Sequence, residues 1–308
     1  GGIDWEWALV HLHTDLRRGF GEDFLISGLA HPISHTLDLA QGYDSTARVA
    51  RRVGDERLAG QLAGHAAQWR NAFDPDTGLL LDSNFYEGGK WNYSFRLLHD
   101  MAGRIELAGG DHAFVGLLDK FFGFGAPPVK QLGVRPDADQ LAAGYALGRF
   151  EGLNNEPDME APWAYQFAGR PDRTAEVVRS IIDHQFATGR GGLPGNDDSG
   201  GLSSWYVWAS LGLFPVAGQN IFCINAPSFA TSRINLGNGA LLTIEAEGFA
   251  EPGTGNPTQY VESVRLDGVQ RDRTWLTGNE VHAGGHLSIR LGSDPHAWIA
   301  ERPPSLTT

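Results

Sequence analysis

The feature that most constrains the fold is a glycine-rich segment that leads directly into an apolar one. Gly and Pro recur throughout residues 191–201, which prevents a regular element there and permits backbone angles that other residues avoid. Residues 203–213 are apolar or aromatic on almost every face and therefore predict a buried helix. Asp197 and Asp198 lie at the tip of the loop, close to the start of that helix. The sequence thus predicts a permissive loop that presents two carboxylates in front of aromatic residues.

The Asp197–Asp198 pair has two interpretations. Taken alone, two adjacent Asp residues more often form a solvated turn with a helix N-cap. Such a turn requires neither the many permissive residues around it nor the aromatic residues that follow it. We therefore interpret the loop as the floor of a binding site, where the amides at the start of the helix keep at least one carboxylate ionised.

The composition excludes several classes of partner. The chain has 308 residues and a formal net charge of −13, so it offers no basic surface that could displace counterions from a nucleic acid. No apolar run approaches the roughly 20 residues of a membrane span, and we expect no membrane partner. The single cysteine, Cys223, excludes an internal disulfide bond.

Hydrophobic periodicity divides the chain into two parts. Up to about residue 216, apolar residues recur every three or four positions, and short turns join the predicted helices into antiparallel hairpins. We therefore predict a mainly α fold with a β-rich C-terminal region. Residues 1–216 would form part of an α/α toroid, a catalytic region incomplete at its N-terminus, and residues 217–308 would form antiparallel strands. Alternation with period two predicts these strands at residues 221–225, 231–236, 240–247, 261–266 and 286–291.

Three predicted loops share a composition in which an acid is flanked by Gly or Asn and aromatic residues lie nearby. The acids are Glu87, Glu156 and the Asp197–Asp198 pair. In a toroid of helical hairpins, alternate connections lie on one face. We therefore expect the three loops to meet at one mouth of the toroid.

Glu87 and Asp198 are predicted to have opposite protonation states. Glu87 lies between Tyr86 and Trp91, whose rings would raise its pKa towards the value that a general acid requires. Asp198 lies near helix amides and is expected to stay ionised and to act as a base on water. An alternative for Glu87, a residue at a helix start that interacts with the helix dipole, is equally compatible with its spacing.

Two further groups have competing interpretations. Glu156 and Asn155 belong to an oxygen-rich cluster of the type that suits Ca²⁺, although structural turns of this composition are commoner. His99 and Asp100 are adjacent, and such a pair is more often a hydrogen-bonded core pair than a catalytic one. The sequence contains no zinc, phosphate-loop or dinucleotide-binding pattern.

Several motifs together resemble those of glycoside hydrolase family 92, and the resemblance spans nearly the whole chain. In chain order they are Phe73–Gly78, Asn84–Ser94 with His99–Asp100, Asn155–Pro157 with Tyr165–Pro171, and Gly195–Gly200 with Ser204–Tyr206. Members of this family are calcium-dependent, inverting exo-α-mannosidases. The resemblance therefore implies that the chain removes terminal α-mannose from glycans and that its cofactor is Ca²⁺.

The resemblance also implies roles for individual residues. Glu87 would be the general acid and Asp198 the base, with Asp197 in support, and Glu156 would help to bind Ca²⁺. Contacts with the sugar would come from Trp91, His99, Asp100, Asn155 and Asn196.

Partners and location follow from the same resemblance. Mannose-containing glycans would be the substrates, and the family's N-terminal β-sandwich segment, missing from this sequence, would help to line the sugar pocket. The family implies a secreted or periplasmic protein, while this chain carries no signal segment. Three alternatives are a sugar-binding fragment without turnover, an inverting toroid glycosidase for another sugar, and a non-catalytic helical scaffold, which would leave the three acidic loops unexplained. An incomplete toroid would also expose apolar surface.

Overall fold

The computed structural model describes residues 4–10, 31–86, 88–123, 153, 155–251, 259–296, 298 and 300–306. Glu87, the predicted general acid, lies outside these ranges. None of the described helices combines the length and the hydropathy that are needed to cross a bilayer. After a helical segment at residues 5–10, the helices are α1 (Pro32–Arg52), α2 (Glu56–Ala66), α3 (Lys90–Tyr93), α4 (Met101–Leu107), α5 (Asp111–Phe122), α6 (Ala161–Phe167), α7 (Pro171–Gln185), α8 (Gly201–Leu211) and α9 (Gly278–Ala283).

The chain divides into two compact units. The first comprises Gly1–Ser94, Leu98–Gly110 and Ser305–Thr308, and the second comprises Phe95–Leu97 and Asp111–Pro304. The change from helices to strands that was predicted at residue 216 falls within the second unit.

The first unit is built on the predicted helical hairpin of α1 and α2. Proline at the first turn of α1 needs no hydrogen-bonded N–H there, and the side chain of Asp55 caps α2 by accepting from the N–H of Leu58 at 2.9 Å. The two helices bury Tyr43, Ala47 and Leu62 against each other. This burial of one stripe from each helix is what the apolar spacing predicted.

The second unit combines helices α5 to α8 with the strands. Trp163 of α6 is fully buried and stacks on Phe214 of the first strand, with ring centroids 4.7 Å apart and an interplanar angle of 11°. Trp205 of α8 is buried as well. Large aromatic rings therefore form the contact between the helices and the strands within this unit.

The strands form two sheets, and the five predicted strands are all present. The three-stranded sheet has the order β1–β2–β7, and the five-stranded sheet has the order β3–β4–β8–β5–β6. The strands are β1 (Leu213–Pro215), β2 (Phe222–Ile224), β3 (Thr231–Asn235), β4 (Leu241–Glu247), β5 (Tyr260–Leu266), β6 (Val269–Arg271), β7 (Trp275–Leu276) and β8 (Gly285–Gly292).

The prediction that all these strands are antiparallel is wrong for one pair. β4 pairs with β8 in parallel, with Ile244 opposite Leu287. A parallel pair needs a long connection, and residues 248–284 supply it because they contain β5, β6, β7 and α9. The alternation in each strand determines which side chains are buried but leaves the direction of the neighbouring strand undetermined.

The prediction that the helix after the glycine-rich loop is buried on almost every face is also wrong. α8 buries Leu202, Trp205 and Ala209, which lie on one stripe, whereas Tyr206 is 37% exposed and Val207 is 54% exposed. The helix is apolar around its circumference, so its sequence does not show which face packs inward. The remaining apolar residues lie at the surface.

Candidate active-site loop and neighbouring side chains

The loop that precedes α8 holds one of its two acids with several hydrogen bonds. The carboxylate of Asp197 accepts from the backbone N–H of Ser203 at 2.8 Å and from its hydroxyl at 2.9 Å. These bonds, the backbone one first, lower the pKa of Asp197, although partial desolvation opposes them. Asp197 is therefore an ionised residue that is held against the start of α8.

Asp198 is placed differently, although it is the next residue. Its side chain is exposed and makes no hydrogen bond with another described residue. The turn that carries it contains Ser199 at φ 54° and Gly200 at φ 77°, both in the left-handed region. This region is unusual for serine, so the surrounding bonds must hold the turn in place. Asp198 thus extends from a constrained turn with both carboxylate oxygens available.

Close packing of the backbone requires glycine in the segment that precedes this turn. The N–H of Ala187 donates to the carbonyl of Gly192 at 2.9 Å, and a Cβ atom at Gly192 would collide with the carbonyl oxygen of Ala187. Next to this turn, Phe186 stacks on Trp205 at 6.0 Å and contacts Tyr206 at 4.9 Å. The loop therefore lies beside aromatic rings, as the sequence predicted.

The Glu156 loop meets the same helix start. A Cβ atom added at Gly201 would lie 3.7 Å from Oε1 of Glu156 and 3.6 Å from Sδ of Met159. The indole N–H of Trp205 donates to the carbonyl oxygen of Met159 at 2.9 Å. The structure therefore brings together two of the three predicted acidic loops, those of Glu156 and of Asp197–Asp198.

The Glu156 carboxylate has a buried oxygen that could serve as a metal ligand. Oε1 of Glu156 is buried and has no hydrogen-bond partner, and a buried carboxylate oxygen without a partner is unfavourable unless a cation binds it. The side chain of Asn155 caps the turn by accepting from the N–H of Glu156 at 3.0 Å. The part of the chain that the structure describes contains no group of three or more His, Cys, Asp or Glu side chains that could hold a metal. Glu156 fits a hard cation as a single oxygen donor.

The segment around Glu87 borders a cavity of about 670 Å³ in the first unit. Next to it, Tyr86 is 72% exposed and its ring lies edge-on to that of His31 at 5.7 Å. Trp91, one of the predicted sugar contacts, is half-buried in α3. The residues that line the cavity are His31, Asp82, Ser83, Asn84, Phe85, Gly88, Gly89 and Lys90.

His99 and Asp100 are core residues of the first unit. Asp100 is 5% exposed and caps α4 by accepting from the N–H of Gly103 at 3.0 Å, and its other oxygen accepts from Arg70 at 2.8 Å. His99 is 2% exposed and donates to the carbonyl of Ala66. Burial lowers the pKa of His99, although the charges of Asp44 and Asp100 oppose this effect. These contacts support the core interpretation of the pair rather than the sugar-binding one.

Among the other residues predicted to contact sugar, Asn196 is exposed beside Asp197, and Asn155 is half-buried at the Glu156 turn. The sequence analysis missed Ser203, which binds Asp197, and Met159, which packs on Gly201. The contact of Ser203 with Asp197 could have been predicted, because Ser203 is the third residue of the helix and follows the acid by six positions. Its hydroxyl and its N–H therefore lie together at the helix start, where an acid can accept from both. Nothing in the sequence indicates the contact of Met159.

Helical hairpins followed by strands, with acids presented on loops that meet at a helix start, are consistent with a glycoside hydrolase, and the comparison with known families identifies the chain as one. The chain belongs to glycosyl hydrolase family 92, because the model of the family's catalytic domain matches residues 18–293. A curated relative, an uncharacterized secreted glycosidase of the fungus Arthroderma benhamiae, is 32% identical over 225 residues, which are 72% of this chain and 26% of the relative.

Solved structures of the family share the fold. A GH92 α-mannosidase of Bacteroides thetaiotaomicron aligns with 99% of this chain at a TM-score of 0.82 and 21% identity, and the match covers 43% of that enzyme. A GH92 inverting mannosidase of the same species aligns with 99% of the chain at a TM-score of 0.78 and 21% identity, covering 46% of that enzyme. These similarities confirm the predicted fold class, part of an α/α toroid with a strand-rich C-terminal region. The chain spans less than half the length of these relatives.

Proposed function

We propose that this chain is the part of an inverting exo-α-mannosidase that carries its general base, and that it acts on terminal α-mannose of glycans. The observation that supports this proposal most strongly is the division of roles within the Asp197–Asp198 turn. Asp197 is tied to the helix start by Ser203, while Asp198 is exposed and has no partner among the described residues. A base that activates water needs a carboxylate oxygen that is free to accept a proton, and the exposed side chain of Asp198 supports this role.

The proposed reaction is a single displacement at the anomeric carbon. Asp198 accepts a proton from a water molecule, which attacks the face of the sugar opposite the leaving group. Glu87 donates a proton to the glycosidic oxygen as the bond to the anomeric carbon breaks. Inversion requires the two carboxyl groups to lie roughly 6.5–9.5 Å apart, which leaves space for the water.

We propose Ca²⁺ as the cofactor, with Glu156 as one of its ligands. The buried Oε1 atom of Glu156 supports this assignment because it lacks a hydrogen-bond partner and lies beside the helix that starts at Gly201. When bound, Ca²⁺ would supply positive charge to the O2 and O3 hydroxyls of the mannose and favour a distorted sugar ring. Carboxylate and carbonyl oxygens are the ligands that this cation prefers.

We also propose that the protein is secreted, as its fungal relative is described. An extracellular location gives the enzyme access to mannose-containing glycans and to Ca²⁺. Recovery of the native protein from culture medium rather than from cell lysate tests this proposal.

The proposed activity is tested by hydrolysis of an aryl α-mannoside, with the matching aryl α-glucoside as the control substrate. We expect release of mannose from the first substrate only, and we expect proton NMR to detect the β anomer before mutarotation. Chelation with EDTA should abolish hydrolysis and added Ca²⁺ should restore it.

Each alternative gives a different result in that experiment. Initial release of the α anomer would exclude inversion, and full activity after chelation would exclude a calcium requirement. Hydrolysis of the glucoside instead would indicate a glycosidase for another sugar. Calorimetric binding of mannose without any hydrolysis would indicate a sugar-binding fragment.

A further inference from the structure

Ser203 donates hydrogen bonds to Asp197 from both its backbone N–H and its hydroxyl. Its N–H lies 2.8 Å from Oδ1 of Asp197, and its hydroxyl lies 2.9 Å from Oδ2 and 3.1 Å from Oδ1. The hydroxyl is also 3.2 Å from the carbonyl oxygen of Gly200. A hydroxyl has one proton to donate, and its shortest contact is with Oδ2 of Asp197. Ser203 therefore binds both oxygens of Asp197, and the backbone of Leu202 adds a weaker contribution.

We propose that Ser203 is a positioning residue, which fixes the orientation of Asp198 by anchoring Asp197 on the other side of the turn. This inference rests on the proposed function, in which Asp198 is the base. Ser203 contacts no reacting atom in this scheme. Its effect reaches Asp198 through the Asp197 carboxylate and the peptide bond that joins the two acids.

The backbone of the turn explains why such an anchor is needed. Ser199 and Gly200 adopt φ values of 54° and 77°, and only the second is a glycine. A left-handed serine costs free energy, so the turn would relax if its anchor were removed. Because Asp198 lies between Asp197 and Ser199, any relaxation of the turn changes the direction of its carboxylate.

The two donors of Ser203 restrain the turn in different ways. The backbone N–H fixes Oδ1 and persists in any variant that keeps α8 folded. The hydroxyl fixes Oδ2 and so prevents rotation of the carboxylate about its terminal bond. Removal of the hydroxyl alone should therefore loosen the turn without unfolding the helix.

The test compares Ser203→Ala, Ser203→Thr and Ser204→Ala in the intact protein. Ser204 is the matched control because it is exposed on the same helix and makes no hydrogen bond with Asp197. For Ser203→Ala we expect kcat on the aryl α-mannoside to fall about 10- to 100-fold with little change in KM, since small displacements of a catalytic group have effects of this size. Asp197 loses a donor that favours its ionised form, so it should take up a proton, and the turn should lose its anchor, at a higher pH than in the wild type. The acidic limb of the kcat/KM profile should therefore move to higher pH.

Rescue and hydrogen exchange separate positioning from a general loss of structure. Ser203→Thr retains the hydroxyl and should restore kcat to within about threefold, and Ser204→Ala should match the wild type. Amide exchange measured by mass spectrometry should accelerate in the peptide around residues 196–203 of Ser203→Ala, while the strands of the second unit exchange as before.

The outcomes distinguish the inference from the function on which it rests. If the wild type is active and Ser203→Ala keeps its kcat, its pH profile and its exchange rates, the inference is wrong and the function stands. If the wild type hydrolyses no mannoside, the proposed function fails, and accelerated exchange confined to Ser203→Ala would still establish the anchoring of the turn. Equal loss of activity in Ser203→Ala and Ser203→Thr would overturn the role of the hydroxyl.

Discussion

Two pairs of adjacent titratable residues, His99–Asp100 and Asp197–Asp198, occupy contrasting environments. In the first pair both side chains are buried, and Asp100 uses its two oxygens on a helix cap and on Arg70. In the second pair, one acid is bound to a helix start and the other is exposed without a partner among the described residues. Adjacency in sequence is the same in both pairs, while the number of available oxygens differs.

This difference shows how an acid with a structural role can be separated from an acid with a chemical one. A carboxylate whose oxygens are all hydrogen-bonded stabilises the fold and is a poor proton acceptor. A carboxylate on a constrained turn with unbound oxygens contributes little to the fold and can accept a proton. Substitutions in the two pairs should therefore affect different quantities: activity at Asp198 and stability around Asp100.

The largest expected effect is the loss of activity in Asp198→Asn. An amide cannot accept the proton from water, so we expect kcat to fall about 10³-fold, which corresponds to roughly 4 kcal/mol in the activation barrier. Because Asp198 is exposed, Tm should remain within about one degree of the wild type. Steady-state hydrolysis of an aryl α-mannoside and calorimetric melting measure the two quantities.

Asp76→Asn is the matched control for this loss of activity, since Asp76 is also an exposed acid in a loop. It should retain full activity and full stability. Activity in Asp198→Asn within a few-fold of the wild type would remove the basis for calling Asp198 the base. A large fall in its Tm would show that the exposed acid has a structural role after all.

The next effect is a loss of stability in Gly103→Ala. A Cβ atom at this position would collide with the guanidinium of Arg70 and the carboxylate of Asp100. These groups form an ion pair with an N–O distance of 2.8 Å. The side chain of Arg70 is 40% exposed and can move away, but that of Asp100 is 7% exposed and is held by the N–H of Gly103, so the collision with Asp100 remains. We expect the free energy of unfolding to fall by about 3 kcal/mol, at the upper end of the range for an overpacked core.

Gly64→Ala provides the control for that substitution. Gly64 lies in α2 and has no heavy atom within 4 Å of the added Cβ. Alanine favours a helix over glycine, so this variant should gain about 0.5–1 kcal/mol. Urea denaturation followed by circular dichroism measures both changes, and a neutral Gly103→Ala would show that the ion pair is not packed as described.

The sequence predicted much of this arrangement because local patterns determine it. Alternation located the strands, and the glycine-rich segment identified a loop whose backbone leaves no space for a side chain at Gly192. The pattern from Thr277 to Glu280, a hydroxyl residue followed three positions later by Glu, also marks the start of α9, where both halves of the capping box are present. That helix could have been predicted.

Other features depend on contacts that sequence patterns do not encode. The parallel pairing of β4 with β8 depends on the course of the intervening 37 residues, 248–284, and not on either strand. The exposed face of α8 was missed because apolar residues surround the helix. Which of Asp197 and Asp198 is bound depends on where the Ser203 side chain lies once the turn has formed.

Glu156 combines features of both pairs, since its Oε1 atom is buried but has no hydrogen-bond partner. If this oxygen binds Ca²⁺, Glu156→Gln should lower the affinity for Ca²⁺ by about tenfold or more, because it removes one negative charge from the ligand set. A tenfold loss of affinity corresponds to roughly 1.4 kcal/mol of binding free energy. Calcium titration by isothermal calorimetry measures this change. Unchanged affinity in Glu156→Gln would place the cation, if one binds, on other ligands.

The smallest expected effect is the dependence of stability on the titration of His99. Burial lowers the pKa of His99 in the folded protein, and the positive charge of Arg48 adds to this effect. The negative charges of Asp44 and Asp100 oppose it by favouring the protonated imidazole. The unfolded chain, with a histidine pKa of about 6.5, therefore binds more protons than the folded one just below that pH. The stability contributed by neutral His99 is complete above about pH 6.5 and is lost as the pH falls below it.

His99→Gln tests this dependence because glutamine can still donate to the carbonyl of Ala66 but does not titrate. We expect the wild type to lose a few degrees of Tm between pH 7 and pH 5.5, and we expect His99→Gln to lose less over the same interval. His112→Gln, which replaces an exposed histidine on α5, should follow the wild-type curve. If His99→Gln and the wild type have parallel curves, the buried pair does not couple protons to folding. The contrast with the exposed Asp198 would then rest on hydrogen bonding alone.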